Sequence, residues 1–194
     1  MKHQVTKNTV RQFIDEVANQ HHAMAGAVIA ASAAQAAALG RACIQISLEH
    51  RGDVLDAVDV ADRIQQITRI KESLIAWCDR DATGIAEFVA LREAGDELRG
   101  QQLLCDSPAE MSRLSVEAAA ILQDFRPLVS ERVQDDLEMS ITLLSGTAQA
   151  AMLLLDSNLR IWPEKALLDK YEPIRADLEH QIKQLTPTAR IRND

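Results

Sequence analysis

Apolar residues recur at helical spacing along most of this chain, and no segment shows the sustained alternation of β-branched residues that strands require. The first helical segment covers residues 9–19 and predicts a short amphipathic helix capped by Asn8 or Thr9. Its apolar positions, at i, i+3, i+4 and i+7, are Val10, Phe13, Ile14 and Val17.

The second segment, residues 23–42, consists largely of alanine, which is the best helix former. Small residues recur there every four positions: Gly26, Ala30, Ala34, Ala38 and Ala42. A face without larger side chains buries little area, so it stabilises the fold only where another backbone comes very close. We therefore expect a central helix held on several sides, inside a bundle or at a subunit interface. Gln35 and Arg41 interrupt the segment, which argues against a membrane span.

The same periodicity predicts four further helices, over residues 53–94, 107–127, 133–158 and 163–185. Asp53 is expected to cap the first of these. Ser107 and Pro108, after a break over residues 95–106, form a typical helix start. Pro173 is expected to kink the last helix. The predicted fold class is therefore all-α, a six-helix bundle around the alanine-rich helix.

Composition limits the function classes. The chain has 194 residues, enough for one domain over residues 1–194, and we expect residues 1–8 and 186–194 to be frayed. A net charge of −8 argues against nucleic acid as a partner. Three cysteines without CxxC spacing and histidines without helical metal-ligand spacing predict reduced thiols and no metal site. With no apolar segment near Met1, a cytoplasmic location is expected.

Five polar residues are candidates for chemistry or for simple helix capping. Asp79 and Asp81 lie within the long third helix and point about 200° apart on it. Asp135 and Asp136 open the fifth helix, where acidic residues also complement the helix dipole. Asn158 ends an apolar run, a position where asparagine often serves only as a cap.

Several segments together resemble one family. Its opening helix resembles VRQFIDEVA at residues 10–18, and its glycine-rich loop and alanine helix resemble AGAVIAASAAQAAALGRA at residues 25–42. WCDRDATGIAEF at residues 77–88 resembles a D-x-D-A-x-A-F segment, and Ser107-Pro108 a helix-opening VP pair. DDLEMSITLLSGTAQAAMLLLDSNLR at residues 135–160 is similar to the pattern SDL-x-VA…N-x-x-x-NLR. The family is the cyclodeaminase/cyclohydrolase group of folate one-carbon enzymes.

The resemblance implies a homodimer of long helices that binds folate in a cleft near the subunit interface. It implies a tetrahydrofolate derivative as substrate, with cyclohydrolase or cyclodeaminase activity and no metal. Asp136 and Asp81 would then be the catalytic carboxylates, and Gly26, Asn158 and Asp79 would contact the substrate. Both reactions pass through a tetrahedral carbon and need a carboxylate to stabilise positive charge and move protons.

A second hypothesis stays open, because the chain departs from the family at several site positions. Of the family's proline and triple glycine only Gly26 remains, and the following serine is Ala27. The family's LPK segment has no counterpart, its GN pair falls at residues 129–130 and its first asparagine at Leu154. The alternative is a degenerate member without folate chemistry, serving as a dimeric binding or structural module or acting on another ligand.

Overall fold

The computed structural model describes residues 4–20, 24–52 and 55–192, and within these ranges it contains six α-helices and no strand. The helices are α1 (Val10–Asn19), α2 (Ala25–Arg51), α3 (Ala57–Glu93), α4 (Glu97–Phe125), α5 (Gln134–Ile161) and α6 (Lys165–Gln184). Short 3₁₀ turns cover Val5–Lys7, Arg126–Leu128 and Glu131–Val133. The predicted all-α, six-helix class is confirmed.

Helices α2 to α5 form a four-helix bundle in which each helix runs antiparallel to the next. Two hydrogen bonds show the direction, since one joins Ala27 near the start of α2 to Asp81 in the second half of α3, and the other joins Leu104 near the start of α4 to Asn158 near the end of α5. The ring closes between α5 and α2, where Ser140 Oγ donates to the Ala36 carbonyl. Helix α6 lies along α4 and α5, with Tyr171 buried, and α1 lies at the α2–α3 side, with Phe13 half-buried.

Helix α2 is the central helix, and its small residues face the neighbouring helices. The fully or almost fully buried members are Ala27, Ala30, Ala33, Ala34, Ala36 and Ala37. A Cβ atom at Gly40 would overlap Leu122 of α4 and lie 2.8 Å from Ser140 Oγ of α5. The small residues therefore let α4 and α5 approach α2 closely, and of the two predicted positions the interior of a bundle is the observed one.

Two predicted helix starts need comment. Helix α4 begins at Glu97, so the predicted start at Ser107 and Pro108 is wrong. Pro108 lies inside α4, and the break between α3 and α4 is only the short turn around Gly95, whose φ is +80°. Asp53, the predicted cap of α3, lies outside the described residues, and the Asp56 side chain accepts the backbone N–H groups that open this helix.

Some residues in the described parts of both chain ends make contacts with the bundle. Val5 is buried, and Thr6 is hydrogen-bonded to α3. Thr186 accepts a hydrogen bond from Arg126 through its carbonyl at 2.6 Å. Helix α6 continues through Pro173 to Gln184.

Within the part of the chain that the structure describes, two helical stretches are long and apolar enough to cross a membrane, by length and composition alone: Ala25–Arg51 and Glu131–Ile161. About half of each apolar window is buried inside the bundle (50% and 44%). Both stretches belong to core helices, and a helix surrounded by other helices is apolar for that reason alone.

Candidate functional site

Gly26 and Asp81 are in direct contact at the start of α2. Asp81 Oδ2 accepts a hydrogen bond of 2.7 Å from the backbone N–H of Ala27, in the first turn of that helix. A Cβ at residue 26 would overlap the Asp81 carboxylate, so this approach requires glycine. Since the Met24 side chain makes no capping bond, Asp81 of α3 supplies an acceptor that the sequence of α2 lacks.

Asp79 fixes the N-terminal turn of the chain against α3. Its two carboxylate oxygens accept hydrogen bonds from Thr6, one from the backbone N–H at 2.9 Å and one from the hydroxyl at 2.8 Å. Thr6 also lines a groove between the N-terminal segment, α2 and α3. Asp79 therefore helps to shape this groove.

Asn158 has a partner that the sequence alone does not reveal. Its side-chain amide donates a 2.7 Å hydrogen bond to the carbonyl of Leu104 in α4. Leu104 precedes Pro108 by four residues, and proline has no N–H to offer the carbonyl four positions earlier. Asn158 thus supplies a donor to the Leu104 carbonyl, which Pro108 leaves without one. Its side chain makes this bond to α4 instead of capping the end of α5.

Asp136 lies far from the other candidates within one chain. It is exposed in the first turn of α5. Asn158 is 22 residues further along the same helix, about 33 Å at 1.5 Å per residue. The negative charge of Asp136 acts on Cys43 in the distal half of α2. The structure therefore brings Gly26, Asp79 and Asp81 together at one end of the bundle and places Asp136 at the other.

The groove beside Asp79 was not predicted from the sequence. It has a volume of about 340 Å³, with largely apolar walls and four polar side chains, those of Thr6, Asn8, Gln35 and Lys71. Phe13 and Cys78 also line it, and Cys78 precedes Asp81 by one helical turn, so the groove runs beside the Gly26–Asp81 contact. The sequence carries no local signal for this groove, because its walls come from three separate segments of the chain.

A second groove of about 540 Å³ lies between α3, α4 and α6. In it the Tyr171 hydroxyl lies 2.7 Å from Asp106 and 3.0 Å from the Gln102 carbonyl, and Lys170 pairs with Asp106 at 2.9 Å. Burial, followed by the neighbouring Asp106, raises the pKa of Tyr171 above its ordinary value. The phenol is therefore a neutral hydrogen-bond donor that ties α6 to α4.

Neither the three cysteines nor the His, Asp and Glu residues of the described chain form a reactive thiol site or a metal site. Burial raises the pKa of Cys43 to about 11 and those of Cys78 and Cys105 to about 12, with nearby carboxylates adding to the shift. Such thiols stay protonated and unreactive near neutral pH. Among the described residues no group of three or more His, Cys, Asp or Glu side chains is placed to hold a metal ion.

Comparisons with known proteins give the family. The sequence matches the family model of formiminotransferase-cyclodeaminase over residues 9–175. The fold is similar to that of formiminotetrahydrofolate cyclodeaminase from Thermotoga maritima, with a TM-score of 0.83, 15% identity and coverage of 92% of each chain. A search of curated proteins finds no significant match. Because the family match spans most of the chain, from the first helix well into the last, this protein belongs to the formiminotransferase-cyclodeaminase family.

Proposed function

We propose that the chain binds a tetrahydrofolate one-carbon adduct in the groove between the N-terminal segment, α2 and α3, and opens or closes the one-carbon bridge between N5 and N10 there. Family membership supports the ligand class. The observation that carries the location is the groove itself: its walls include Thr6, which is hydrogen-bonded to Asp79, and Cys78, which precedes Asp81 by one helical turn.

The groove has the chemistry that a folate-type ligand needs. Its volume of about 340 Å³ lies in the range of small-molecule sites. The half-buried ring of Phe13 offers a flat apolar surface for a pterin or aminobenzoyl ring. Lys71, now paired with Glu72 at 2.7 Å, offers an ammonium group for the glutamate carboxylates of the ligand. It would thus supply the charge that the missing LPK segment provides elsewhere in the family.

Asp81 is the carboxylate best placed for the chemistry within one chain. The methenyl adduct is a cation whose charge is shared by N5 and N10, and an ionised carboxylate nearby stabilises it. Cyclohydrolysis adds water to the bridging carbon, and the proton that the water loses must pass to a base. In cyclodeamination N10 attacks the formimino carbon and ammonia leaves. In both reactions Asp81 would stabilise the cation and carry a proton.

The first experiment measures binding and turnover with an Asp81 variant. Asp81→Asn keeps an oxygen acceptor for the Ala27 N–H but removes the charge. We expect the wild type to bind 5,10-methenyltetrahydrofolate, whose bridge is cationic, about tenfold more tightly than 5-formyltetrahydrofolate, whose one-carbon group is uncharged, and the variant to lose this preference. Hydrolysis should fall with it. Asp124→Asn, at an exposed carboxylate of α4, is the matched control.

The second experiment tests the groove through Lys71. Lys71→Met should weaken binding of 5-formyltetrahydrofolate several-fold but leave unchanged the binding of a pterin without the glutamate tail. Lys183→Met, at an exposed lysine of α6, is the control. If calorimetry shows no binding of tetrahydrofolate or 5-formyltetrahydrofolate at micromolar concentration, the proposal is wrong.

A second candidate function is a family member without folate chemistry that acts as a binding or structural module. The observation in its favour is that the retained family residues make contacts that the fold itself needs. Gly26 makes room for Asp81, Asp79 holds Thr6, and Asn158 completes the helix around Pro108. Selection for stability alone would keep these residues. Absence of both folate binding and methenyl hydrolysis, in a stably folded protein, would favour this function.

A further inference from the structure

The hydroxyl of Ser107 in α4 is buried and has no hydrogen-bond partner among the described residues. The residue is only 6% exposed. Four other buried serines of the bundle each donate to a backbone carbonyl: Ser47, Ser112, Ser115 and Ser140. Two of these carbonyls lie four residues earlier in the same helix, and the corresponding carbonyl for Ser107, that of Leu103, is not used. Because buried polar groups are nearly always paired, this hydroxyl calls for an explanation, and contact with a ligand is one.

The register of α3 against α4 places the Ser107 hydroxyl at the level of Asp81. Two close contacts fix this register: Gly84 with Leu104, and Phe88 with Gly100. A Cβ at the first glycine would lie 3.5 Å from the facing side chain, and one at the second would lie 2.8 Å away. Each step back along α3 is thus matched by an equal step forward along α4. Three residues beyond the first contact, Asp81 of α3 lies opposite Ser107 of α4.

A buried cluster connects this part of α4 with the start of α2. Met111 follows Ser107 by one turn on the same face of α4, and it packs in one cluster with Met24 and Ala27. Ala27 is also the residue whose N–H donates to Asp81. Two polar groups from different helices therefore flank the start of α2: the carboxylate of Asp81 and the hydroxyl of Ser107.

We propose that Ser107 is a ligand-binding residue whose hydroxyl donates a hydrogen bond to the oxygen of the one-carbon group, beside Asp81. This inference rests on the proposed function. In cyclohydrolysis the water oxygen bonds to the bridging carbon, and the bond from this carbon to N5 or N10 then breaks with its electron pair on nitrogen. One water proton ends on that nitrogen and the other leaves through Asp81 to solvent, so the oxygen becomes a formyl carbonyl. Ser107 supplies the donor that this oxygen accepts.

Access to the hydroxyl depends on Met24. The Ser107 hydroxyl is closed off from solvent, so a ligand reaches it only when a neighbouring side chain moves. Met24 is 5% exposed, precedes α2 without capping it, and packs in the same cluster as Ala27 and Met111. A thioether side chain has three rotatable bonds and adapts its shape easily. Met24 is therefore the side chain that turns aside to admit the one-carbon group.

The binding of two folates to Ser107→Ala tests the contact by calorimetry. 5-Formyltetrahydrofolate carries the oxygen, whereas 5-methyltetrahydrofolate lacks it. Loss of one hydrogen bond should weaken binding of the formyl compound about tenfold and leave binding of the methyl compound unchanged. The matched control is Ser112→Ala, at a buried serine of α4 whose hydroxyl donates to the Ala148 carbonyl at 3.2 Å; it should change neither affinity. An unchanged affinity of Ser107→Ala for the formyl compound, or an equal loss for both compounds, would overturn the proposal.

The stability of the free protein is an independent test. Ser107→Ala removes a buried hydroxyl without a partner, so it should raise the midpoint of urea unfolding. Ser112→Ala removes a hydroxyl that is bonded across the α4–α5 interface, so it should lower the midpoint. A midpoint lowered by Ser107→Ala would show that the fold itself uses this hydroxyl, and the proposal would be wrong.

The role of Met24 is tested by the rate of ligand association, followed by stopped flow. Met24→Ala should accelerate association of 5-formyltetrahydrofolate several-fold, because a smaller side chain has to move. Met152→Ala, at a buried methionine of α5, is the control and should leave the rate unchanged. Association of the Met24 variant at the wild-type rate would refute this role.

The wild type separates failure of this inference from failure of the proposed function. A wild type that binds neither folate would overturn the proposed function, and the inference with it. A wild type that binds both folates, with affinities that do not depend on Ser107, would overturn the inference alone.

Discussion

The bond between Asn158 and the Leu104 carbonyl makes a sharp prediction, because Pro108 explains why it is needed. Asn158→Ala leaves a part-buried carbonyl without a donor in the chain. An unsatisfied acceptor of this kind costs about 1–2 kcal/mol, the lower part of the range for buried groups. We expect the free energy of unfolding to fall by that amount.

The reasoning is tested by restoring the missing donor. Pro108→Ala returns a backbone N–H to residue 108, which can then bond to the Leu104 carbonyl as in an ordinary helix. In this background Asn158→Ala should cost less than about 0.5 kcal/mol. The difference between the two costs, about 1 kcal/mol, is the coupling energy of a double-mutant cycle.

The assay is urea unfolding followed by the circular dichroism of the helices. The wild type, the two single variants and the double variant are analysed with a common dependence of the unfolding free energy on urea concentration (the m value). Asn158→Asp is a useful companion, since it keeps the shape of the side chain but removes its N–H donor. It should lose at least as much stability as the alanine variant in the wild-type background. Equal costs of Asn158→Ala with and without Pro108 would refute the explanation.

Three further predictions concern other parts of the fold. Gly26→Ala should lower the free energy of unfolding by about 1–3 kcal/mol, and by less when Asp81 is also alanine, as urea unfolding of both variants would show. Burial raises the pKa of Cys43 to about 11. The stability that its neutral thiol contributes should therefore be complete below pH 9.0 and be lost as the pH rises toward 11. Cys43→Ala should reduce this loss when the free energy of unfolding is measured against pH in the alkaline range. Burial alone would raise the pKa of Glu138, but hydrogen bonds led by that from Arg126 hold this pKa below 4.5. The stability that the ionised Glu138 contributes should therefore be present above pH 4.5 and be lost as the pH falls further. Glu138→Gln should abolish this loss when the free energy of unfolding is measured at acid pH.

The helical architecture is predictable from the sequence because each helix carries its own apolar periodicity. The alanine segment in particular indicates a central helix, and α2 has that place. The start of α4 was predicted wrongly because the hydrogen-bond donor that replaces the missing N–H of Pro108 comes from another helix. A proline after a serine ordinarily opens a helix, but here the amide of Asn158, 54 residues away from Leu104, bonds to the carbonyl that Pro108 leaves without a helical donor, and the helix continues through Pro108.

The candidate site shows the same limit. The resemblance to the family identifies residues but not their contacts. That Gly26 and Asp81 touch depends on the antiparallel pairing of α2 with α3, and that Asp136 lies at the other end depends on the direction of α5. The groove that contains Lys71 is formed by three separate segments, so no local pattern in the chain predicts it.

The closure of the bundle between α5 and α2 has a consequence for how the chain folds. Three of the helix pairs in the ring are consecutive, so each can form as a hairpin from local contacts. The pairing of α5 with α2 joins residues 104 positions apart, and its loop entropy must be paid before its contacts stabilise anything. Gly40 and Ser140 lie at this late junction. Substitutions there should mainly accelerate unfolding, whereas substitutions within the α2–α3 hairpin should slow folding.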